Sequence, residues 1–471
     1  MYGDTTPGAQ PTVRLLGYSD LESAYDDPDR VGALAGRIDE LRDDATLVAG
    51  AGDDTALGVL ALLTDAGRAQ ARPFFERVAP AVETFGNHDF DPGREWAYEW
   101  AGSVPPTYLC ANLAGPGSDR VPDGTVLERG GARVSVVGLA HPETADICGA
   151  VEGLRVSNPV SAARAAFDDL GPVDYRVVLA HCGAADPEVA AGVDADVVLG
   201  GHRHDRRHEH VEGTLFVRTP GSGTELVEVA LGPTGGDDPT AMATFHEIAP
   251  DEDPQDATLA DVYRERRERL GVDETVAHVD RSLPRTERGR FGGESRLGNF
   301  AADAFRAAAG ADAALFPAGS LRTGPPLSGD VTRAEVVSLC PFDSPVVECV
   351  LDGAALRAVL AEAAHPHPGD RGWVHFHTSG LRARWTDANE LAGATVDGDP
   401  LDDDRTYRVA TAEYVVVIDA FGPVDRDAVA AEHDRQWQTL LAHAREGGLD
   451  VAREGRIERV PAPEAADGLD G

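Results

Sequence analysis

The stretch Gly86-Asn87-His88-Asp89-Phe90-Asp91 carries the clearest local signal in the chain. It follows an apolar-striped helix around 74–78 and a short strand that ends at Phe85. A glycine permits a sharp turn as the backbone leaves a strand, so the turn presents polar side chains at one edge of the sheet. Asn87 can offer a neutral oxygen to a metal, His88 can face a substrate oxygen, and Asp91 can hold that imidazole in one tautomer. The same residues also fit an ordinary turn with a capping asparagine, and only the rest of the chain distinguishes the two interpretations.

Short apolar strands alternate with helices through the first half of the chain, which is typical of layered α/β architecture. A polar residue stands where each strand stops, and this is the usual place for a site in an open sheet. The predicted strands cover residues 13–18, 46–49, 134–139, 175–180 and 196–201, and a helix is predicted over 159–170.

The polar residues near these strand ends are of the types that bind metals. Carboxylates, an amide and imidazoles together can hold two divalent ions with mixed nitrogen and oxygen ligands. The set consists of Asp20, Glu22, Asp53, Asn87, His181, His202 and His204. The loops that carry them are 33, 34, 94 and 21 residues apart, which suits successive βα or βαβ units returning to one sheet edge. Each residue alone also fits a structural role, such as a helix cap or a buried imidazole, but all seven in this order favour a metal centre.

The length of 471 residues predicts two domains rather than one core. Asp/Pro-rich stretches at 235–240 and 250–255, followed by a charged helix at 256–270, predict a boundary with a connecting helix. The predicted limits are a tail over 1–11, a first domain over 12–245, a linker with its helix over 246–280, a second domain over 281–460 and a tail over 461–471.

The chain is strongly acidic, with 81 acidic residues against 42 basic ones and a net charge of −39. Every basic residue is arginine, since the sequence contains no lysine. An acidic surface without lysine is typical of proteins from a salty cytoplasm, although a GC-rich genome that prefers arginine codons would also remove lysine. The charge argues against nucleic acids and anionic membranes as partners. An anionic substrate would therefore need a metal or a local arginine cluster to be attracted.

The cysteines are dispersed and show no CxxC spacing, which indicates a reducing compartment rather than a disulfide framework or a zinc finger. They are Cys110, Cys148, Cys182, Cys340 and Cys349. The first ten residues lack the basic and apolar regions of a signal peptide. No apolar run approaches the roughly 20 residues that span a bilayer. We therefore expect a soluble cytoplasmic protein, whose oligomeric state the sequence leaves open.

Two further groups of histidines stand outside this set. His365, His367, His375 and His377 have proline and glycine neighbours, which predict a solvated loop rather than another metal site. His208 and His210 follow the last proposed ligand and are expected on an exposed turn.

Several motifs resemble the calcineurin-like metallophosphoesterases, and more closely the two-domain 5′-nucleotidase family. In the first half they are Ser19-Asp20-Leu21-Glu22, Gly52-Asp53, the hexapeptide at 86–91, His181-Cys182-Gly183 and Gly201-His202-Arg203-His204. Framework motifs are Cys110-Ala111-Asn112, Val137-Gly138-Leu139, Glu294-Ser295-Arg296-Leu297-Gly298-Asn299 and Pro341-Phe342. The resemblance covers about residues 12–460. It implies an N-terminal layered α/β/β/α metallophosphoesterase domain and a C-terminal α/β substrate-binding domain.

The resemblance implies two divalent metal ions that share Asp53. One ion would be held by Asp20, Glu22 and His204, and the other by Asn87, His181 and His202. Position 22 departs from the pattern, because the family has Asp-x-His where this chain has Asp-x-Glu. A carboxylate in place of an imidazole favours Mn²⁺ or Mg²⁺, with Zn²⁺, Co²⁺ or Fe as alternatives, and leaves open that one ion is weakly held.

The resemblance also implies a reaction. A bridging metal-bound water would lose a proton and attack phosphorus in line. His88 would stabilise the phosphoryl oxygens and assist the leaving group, while Asp91 would orient His88.

In the resembling family, the second domain holds a nucleobase between two aromatic rings and binds the far end of the substrate with arginines. The matching positions here are Arg322, Phe342, Ser344, Tyr414 and Asp419. The turn before Arg322 lacks the family's asparagine, and Ser344 also stands where the family usually has an asparagine. Phe342 and Tyr414 fit plain core packing as well.

These observations predict a metal-dependent phosphoesterase that removes phosphate from a nucleotide. The alternatives among enzymes are a 2′,3′-cyclic nucleotide phosphodiesterase and a nucleotide-sugar pyrophosphatase. The alternative outside enzymes is a nucleotide-binding protein on a decayed phosphatase scaffold. Glu22 and the two missing asparagines favour that last alternative, whereas the pair of His88 and Asp91 argues against it, because binding alone does not need the pair.

Overall fold

The computed structural model describes residues 13–148, 151–232, 241–367, 372–417 and 421–462. The chain divides into two compact units between Leu270 and Gly271. The predicted tail over 1–11 and most of the one over 461–471 lie outside the described residues. The domain limits drawn from the sequence stay predictions.

The first unit contains fourteen strands and eight helices among its described residues. The strands are β1 Val13–Tyr18, β2 Thr46–Gly50, β3 Val82–Thr84, β4 Thr107–Leu109, β5 Leu113–Ala114, β6 Gly124–Arg129, β7 Ala132–Leu139, β8 Arg155–Val156, β9 Tyr175–Ala180, β10 Val197–Gly200, β11 Arg207–Val211, β12 Thr214–Arg218, β13 Glu225–Leu231 and β14 Ala241–Glu247. The helices are α1 Pro28–Leu41, α2 Val59–Leu63, α3 Arg72–Val78, α4 Arg94–Ala101, α5 Thr144–Ile147, α6 Pro159–Leu170, α7 Asp186–Gly192 and α8 Ala257–Leu270.

Two six-stranded sheets form the framework of this unit. The first has the order β14-β13-β1-β2-β3-β4 and the second β11-β12-β10-β9-β7-β6. The strands β1 to β4 run parallel to one another, as do β7, β9, β10 and β12. Since parallel neighbours share a direction, their carboxyl ends meet at one edge of each sheet.

The strands are apolar on both faces because each sheet is covered on both sides. Leu15 and Leu47 of the first sheet pack with Val177 and Leu199 of the second in one buried cluster between the sheets. The other face of the first sheet packs against helices that include α1, α3, α4 and α8. The other face of the second sheet packs against α6 and α7. This layering confirms the predicted α/β/β/α architecture.

The helix α8, expected from sequence to connect two domains, packs against α1 within the first unit.

The sequence shows why α1 starts where it does. Asp27 accepts the backbone N–H of Arg30, and Pro28 occupies the first helical position, where a missing N–H costs nothing.

The second unit combines a five-stranded sheet, β19-β16-β23-β18-β24, with a four-stranded sheet, β22-β21-β20-β25, and a two-stranded ribbon, β15-β17. Its strands are β15 Thr275–Arg285, β16 Ala313–Pro317, β17 Gly324–Thr332, β18 Pro345–Asp352, β19 Phe376–Ser379, β20 Leu381–Thr386, β21 Leu391–Val396, β22 Asp399–Pro400, β23 Thr406–Ala412, β24 Val429–Arg435 and β25 Ile457–Val460. Its helices are α9 Glu287–Phe291, α10 Arg296–Ala309, α11 Arg333–Val337, α12 Gly353–Glu362, α13 Glu413–Val417 and α14 Gln436–Gly447. This unit is the predicted C-terminal α/β domain.

Two expectations about histidines are wrong in part. His377 was expected in a solvated loop, but it lies fully buried on β19. His367 and His375 stack on each other, with ring centroids 4.0 Å apart. His208 and His210 lie on the exposed strand β11 rather than on a turn.

In the described part of the chain, no helix combines the length and the apolar character needed to cross a bilayer.

Candidate active site

Five strand ends of the first unit deliver the residues that were singled out as metal ligands. In the first sheet, β1, β2 and β3 end shortly before Asp20, Asp53 and Asn87. In the second sheet, β9 ends directly before His181, and β10 ends two residues before His202. Because these are parallel strands, their following loops gather at one side of the molecule.

One group of ligand atoms comes from Asp53, His181 and His202, which lie within 4.8 Å of one another. Nε2 of His181 lies 3.0 Å from Oδ2 of Asp53. Nδ1 of His202 lies 2.7 Å from Oδ1 of Asn87, so the amide oxygen belongs to the same group. Nδ1 of His181 is 2.7 Å from the carbonyl oxygen of Ala51, to which it must donate. That hydrogen bond fixes the ring so that Nε2 points to the site.

A second group comes from Asp20, Glu22 and His204, again within 4.8 Å of one another. Nε2 of His204 lies 3.6 Å from a carboxylate oxygen of Asp20 and 3.6 Å from one of Glu22. The Glu22 side chain is only 7% exposed, so it points into the site and not into solvent. Glu22 and Asp53 also approach His88 within 4.8 Å, which makes the two groups continuous.

The backbone at the site is strained in a way that favours this convergence. Asp20, Glu22, Asp53 and His202 have positive φ angles of 52°, 40°, 56° and 67°. Side chains other than glycine rarely adopt this left-handed conformation, which costs free energy and occurs most often at functional sites. The strained backbone of these loops therefore directs their side chains towards a common point.

Gly86 is needed for close packing and not for a left-handed turn. A Cβ atom at this position would lie 2.0 Å from Oδ1 of Asp53. The buried carboxylate of Asp89 accepts the N–H groups of Gly86 at 2.9 Å and Asp53 at 3.1 Å, and the hydroxyl of Thr55 at 2.7 Å. The hexapeptide thus contacts Asp53 through both the backbone of Gly86 and the carboxylate of Asp89.

The charges at the site act strongly on one another. Burial lowers the pKa of His181, but the negative charge of Asp53 outweighs burial and raises that pKa to about 10. Burial likewise lowers the pKa of His204, which the charges of Glu22 and Asp20 raise to about 11. Burial and the charge of His181 lower the pKa of His202 to about 2. Protons on two imidazoles thus offset part of the negative charge of the three carboxylates when no cation is bound, and a divalent cation would displace them.

The residues present fit divalent cations. The Nε2 atom of His181 is buried and forms no well-aligned hydrogen bond within the described residues, which suits a metal ligand. Carboxylate oxygens, an amide oxygen and imidazole nitrogens are ligands for first-row divalent metals.

His88 and Asp91 form the predicted pair. Nδ1 of His88 lies 2.9 Å from Oδ2 of Asp91. The backbone N–H of His88 also donates to Oδ1 of Asp53 at 2.8 Å, which places the ring beside the metal-ligand groups. Burial raises the pKa of Asp91, but the charges of His88 and Arg68 outweigh burial and lower it below its usual value. Asp91 therefore stays ionised as a partner for the imidazole.

Sequence reasoning missed two residues of this site. Arg68 donates to Oδ2 of Asp91 at 2.8 Å and to the carbonyl oxygen of His88 at 2.9 Å. No motif marks Arg68, because it reaches the site from the short 3-10 helix Gly67–Ala71, 20 residues before His88. His141 lies with its ring centroid 4.2 Å from that of His202. It follows β7 as the ligands follow their strands, so the strand-end pattern itself could have identified it.

In the second unit, the structure brings two of the predicted substrate residues together. The guanidinium carbon of Arg322 lies 5.4 Å from the centroid of the Phe342 ring. Arg285 and Arg290 line a small cavity together with Arg322, so three arginines surround one space. Sequence analysis singled out only one of these arginines.

The remaining substrate residues are placed differently. Tyr414 lies on α13 and is 44% exposed, which contradicts core packing for this ring. Ser344 accepts a hydrogen bond from the side-chain amide of Gln436 at 2.6 Å. Asp419 lies outside the described residues.

Comparisons with known proteins match both units. Residues 275–420 match the family model described as 5′-nucleotidase, C-terminal domain. Protein 5NUC of Lutzomyia longipalpis is 27% identical over 372 residues, which cover 67% of this chain and 64% of that protein. The trifunctional nucleotide phosphoesterase protein YfkN of Bacillus subtilis is 26% identical over 323 residues, covering 62% of this chain and 22% of that protein. The chain thus spans less than two thirds of the length of these curated relatives.

A solved structure shares the fold over nearly the whole chain. The 5′-nucleotidase precursor from Thermus thermophilus superimposes with a TM-score of 0.81 at 21% identity, covering 96% of this chain and all of the other. The resemblance seen in the motifs is thereby confirmed: residues 275–420 match the 5′-nucleotidase C-terminal domain model, and the whole fold is similar to that of the solved two-domain 5′-nucleotidase precursor.

Proposed function

We propose that this protein is a metal-dependent phosphoesterase that removes a phosphoryl group from a nucleotide. The observation that carries the proposal is that two groups of carboxylate and imidazole ligands meet at Asp53, next to the pair of His88 and Asp91. YfkN is a nucleotide phosphoesterase and the Thermus thermophilus protein a 5′-nucleotidase precursor by description, which supports the same assignment.

The proposed metal sites use the two groups described above. Asp20, Glu22 and His204 would hold one ion, and Asn87, His181 and His202 the other, with Asp53 shared by both. Two bound divalent ions would supply Lewis acidity towards the phosphoryl oxygens and a lowered pKa for an attacking water. The acidic ligand set, with Glu22 instead of an imidazole, favours Mn²⁺ or Mg²⁺.

The other residues of the site would act on the substrate directly. His88 would donate a hydrogen bond to the phosphoryl oxygens and a proton to the leaving oxygen. Asp91 would hold Nδ1 of His88 as the donor of their shared hydrogen bond, so that Nε2 faces the substrate. Arg68 would keep Asp91 ionised and in place.

For the nucleoside part of the substrate, we propose the second unit. Phe342 and Tyr414 offer aromatic faces on which a base can stack. Arg322, with Arg285 and Arg290 around the same cavity, offers positive charge in an otherwise acidic protein. Ser344 and Asp419 complete the proposed set.

A substrate panel tests this function. The purified full chain is assayed with Mn²⁺ at high salt for phosphate release and, by chromatography, for all cleavage products, on 5′-nucleotides, 2′,3′-cyclic nucleotides, nucleotide sugars and a DNA oligonucleotide. We expect release from at least one 5′-nucleotide and none from the oligonucleotide. Cleavage of only cyclic nucleotides or nucleotide sugars would replace the proposed substrate with that class. Nucleotide binding without any turnover would support a decayed scaffold and contradict the proposal.

Glu22 offers a test of the metal assignment. Glu22→Ala is expected to raise the Mn²⁺ concentration for half-maximal binding by about 10-fold, because a buried anionic ligand is lost. Glu22→His is expected to shift the preferred metal from Mn²⁺ or Mg²⁺ towards Zn²⁺ or Co²⁺ without abolishing turnover, since imidazole is a softer ligand. Isothermal calorimetry and metal-dependent rates measure these effects.

Glu212→Ala is the matched control for both variants. Glu212 is exposed and also has a positive φ of 50°, but it lies in the turn between β11 and β12. Mn²⁺ titrations that coincide for wild type and Glu22→Ala would show that Glu22 is no ligand, and the two-ion assignment would then be withdrawn.

A further inference from the structure

A buried arginine lies behind the proposed metal ligands without being one of them. Arg218 is the last residue of β12 and is 2% exposed. Its Nη2 donates to Oδ2 of Asp186 at 2.7 Å and to the carbonyl oxygen of Gly183 at 3.1 Å. Its Nη1 donates to Oδ1 of Asp205. A buried guanidinium is tolerated only with such partners, so its position is fixed by them.

These partners lie in the two loops that carry three imidazole ligands. Gly183 belongs to the connection after β9, which begins with His181, and Asp186 is the first residue of α7 at the end of that connection. Asp186 also accepts the backbone N–H of Cys182, the neighbour of His181, at 2.9 Å. Asp205 directly follows His204 in the loop after β10. One guanidinium thus joins both loops.

The loop after β10 needs support from outside itself. His202 has a left-handed backbone, with φ of 67°, and its N–H donates to a carboxylate oxygen of Asp20 at 2.9 Å. Tight turns continue the loop, where Asp205 donates its N–H to the carbonyl oxygen of Arg203 at 2.8 Å. A strained loop persists only where surrounding contacts determine its shape. Arg218 supplies such a contact at the far end of the loop.

We propose that Arg218 is a positioning residue, which sets the spacing between the His181 loop and the His202–His204 loop and thereby the affinity for metal. The proposal rests on the metal site of the proposed function. Arginine suits this task because its planar fork offers donors to two partners at once, whereas lysine is a single point charge. Outer contacts of this kind typically change metal affinity by about 10- to 100-fold.

The test removes the link to one loop and leaves the buried charge paired. Asp205→Ala removes the acceptor on the second loop, while Asp186 and Gly183 still hold the guanidinium. By isothermal calorimetry on the full chain, we expect the Kd for Mn²⁺ to rise by about 10-fold. Asp205→Asn keeps an acceptor oxygen and is expected to restore most of the affinity. The melting temperature of the metal-free protein should fall by no more than a few degrees.

Two further variants separate positioning from general stability. Asp205 also accepts from Nε of Arg207 at 2.9 Å, so Arg207→Gln is the control and should leave the Kd unchanged. Arg218→Lys should weaken Mn²⁺ binding as Asp205→Ala does. The double variant Asp205→Ala/Arg218→Lys should then bind Mn²⁺ only slightly more weakly than either single variant, because both substitutions remove the same contact.

The possible outcomes separate failure of the role proposed for Arg218 from failure of the proposed function on which that role rests. Mn²⁺ binding by Asp205→Ala that equals the wild type would overturn the role of Arg218 alone. A loss in Asp205→Ala that Asp205→Asn does not restore, or that Arg207→Gln reproduces, would also overturn it. Failure of the wild type to bind Mn²⁺ would overturn the metal site itself, and the role of Arg218 with it.

Discussion

Asp53→Asn is expected to lower the metal content of the protein at both sites and kcat by roughly 10³-fold, about 4 kcal/mol of transition-state stabilisation. Asp53 is the residue that the two ligand groups share, with one oxygen 3.0 Å from Nε2 of His181. Its other oxygen accepts the backbone N–H of His88 at 2.8 Å, and an amide oxygen can keep that hydrogen bond. The substitution therefore removes the shared negative charge and leaves the loop in place.

Metal analysis by mass spectrometry after purification in Mn²⁺ measures the first effect, with up to two ions per chain expected in the wild type. Asp54→Asn is the matched control, because Asp54 is the next residue and is also buried. Burial raises the pKa of Asp54 well above its usual range, so replacing this carboxyl with an amide changes the charge less than the same replacement at Asp53. Asparagine at position 54 keeps the side-chain oxygen that accepts the backbone N–H of Leu21. Full occupancy of both sites in Asp53→Asn would rule out Asp53 as the shared ligand.

The strand-end pattern predicted the layered α/β architecture and several strands of the first unit, whereas the α/β/β/α order was implied only by the family resemblance. Parallel strands buried on both faces have a recognisable form, an apolar run that stops at a polar residue. The run Tyr175–Ala180 was predicted with the bounds that the structure has, and His181 follows it directly. The helix Pro159–Leu170 was likewise predicted with its observed bounds, since a capping asparagine and a proline mark its start. Sheet-edge geometry then explains why residues far apart in the chain come into contact, such as Asp20 and His202, which are 182 positions apart.

Contacts that depend on tertiary packing alone could not be predicted. Arg68 carries no local pattern, and only the folded chain shows that its guanidinium contacts Asp91. The proline- and glycine-rich surroundings of His377 predict a loop, whereas the structure buries it on β19 against α10, where a Cβ at Gly298 would contact the ring at 2.2 Å. Local composition indicates how easily a backbone bends. Whether a side chain is buried depends instead on which helices and strands pack over it in the folded chain.

The position of Glu22 lies between these two cases. Its motif places it two residues after Asp20, but the sequence does not show where its carboxylate points. The left-handed backbone at Glu22, with φ of 40°, turns the carboxylate towards His204. A conformation so rare for glutamate has no sequence signature, because propensities describe the common backbone regions.

His88→Asn is expected to reduce kcat by roughly 10²-fold or more, with the metal content of the protein unchanged. The imidazole is held through Nδ1 by Asp91 at 2.9 Å, and Arg68 holds Asp91 in turn. Asparagine can occupy a similar volume and offer a hydrogen bond, but it cannot transfer a proton near neutral pH. The loss should therefore appear in kcat for nucleotide hydrolysis and not in the Kd for Mn²⁺ measured by calorimetry.

The measurement needs a control, because the structure allows a second role for this residue. His88 has a ligand atom within 4.8 Å of Glu22 and Asp53, which is close enough for a shared metal. His210→Asn is the matched control, since His210 is exposed on β11, and it should match the wild type in both rate and metal content. Loss of Mn²⁺ from His88→Asn, with His210→Asn unaffected, would make His88 a metal ligand. The proton transfer to the leaving oxygen would then have to come from another group, and His141, with its ring against that of His202, would be the first to be substituted.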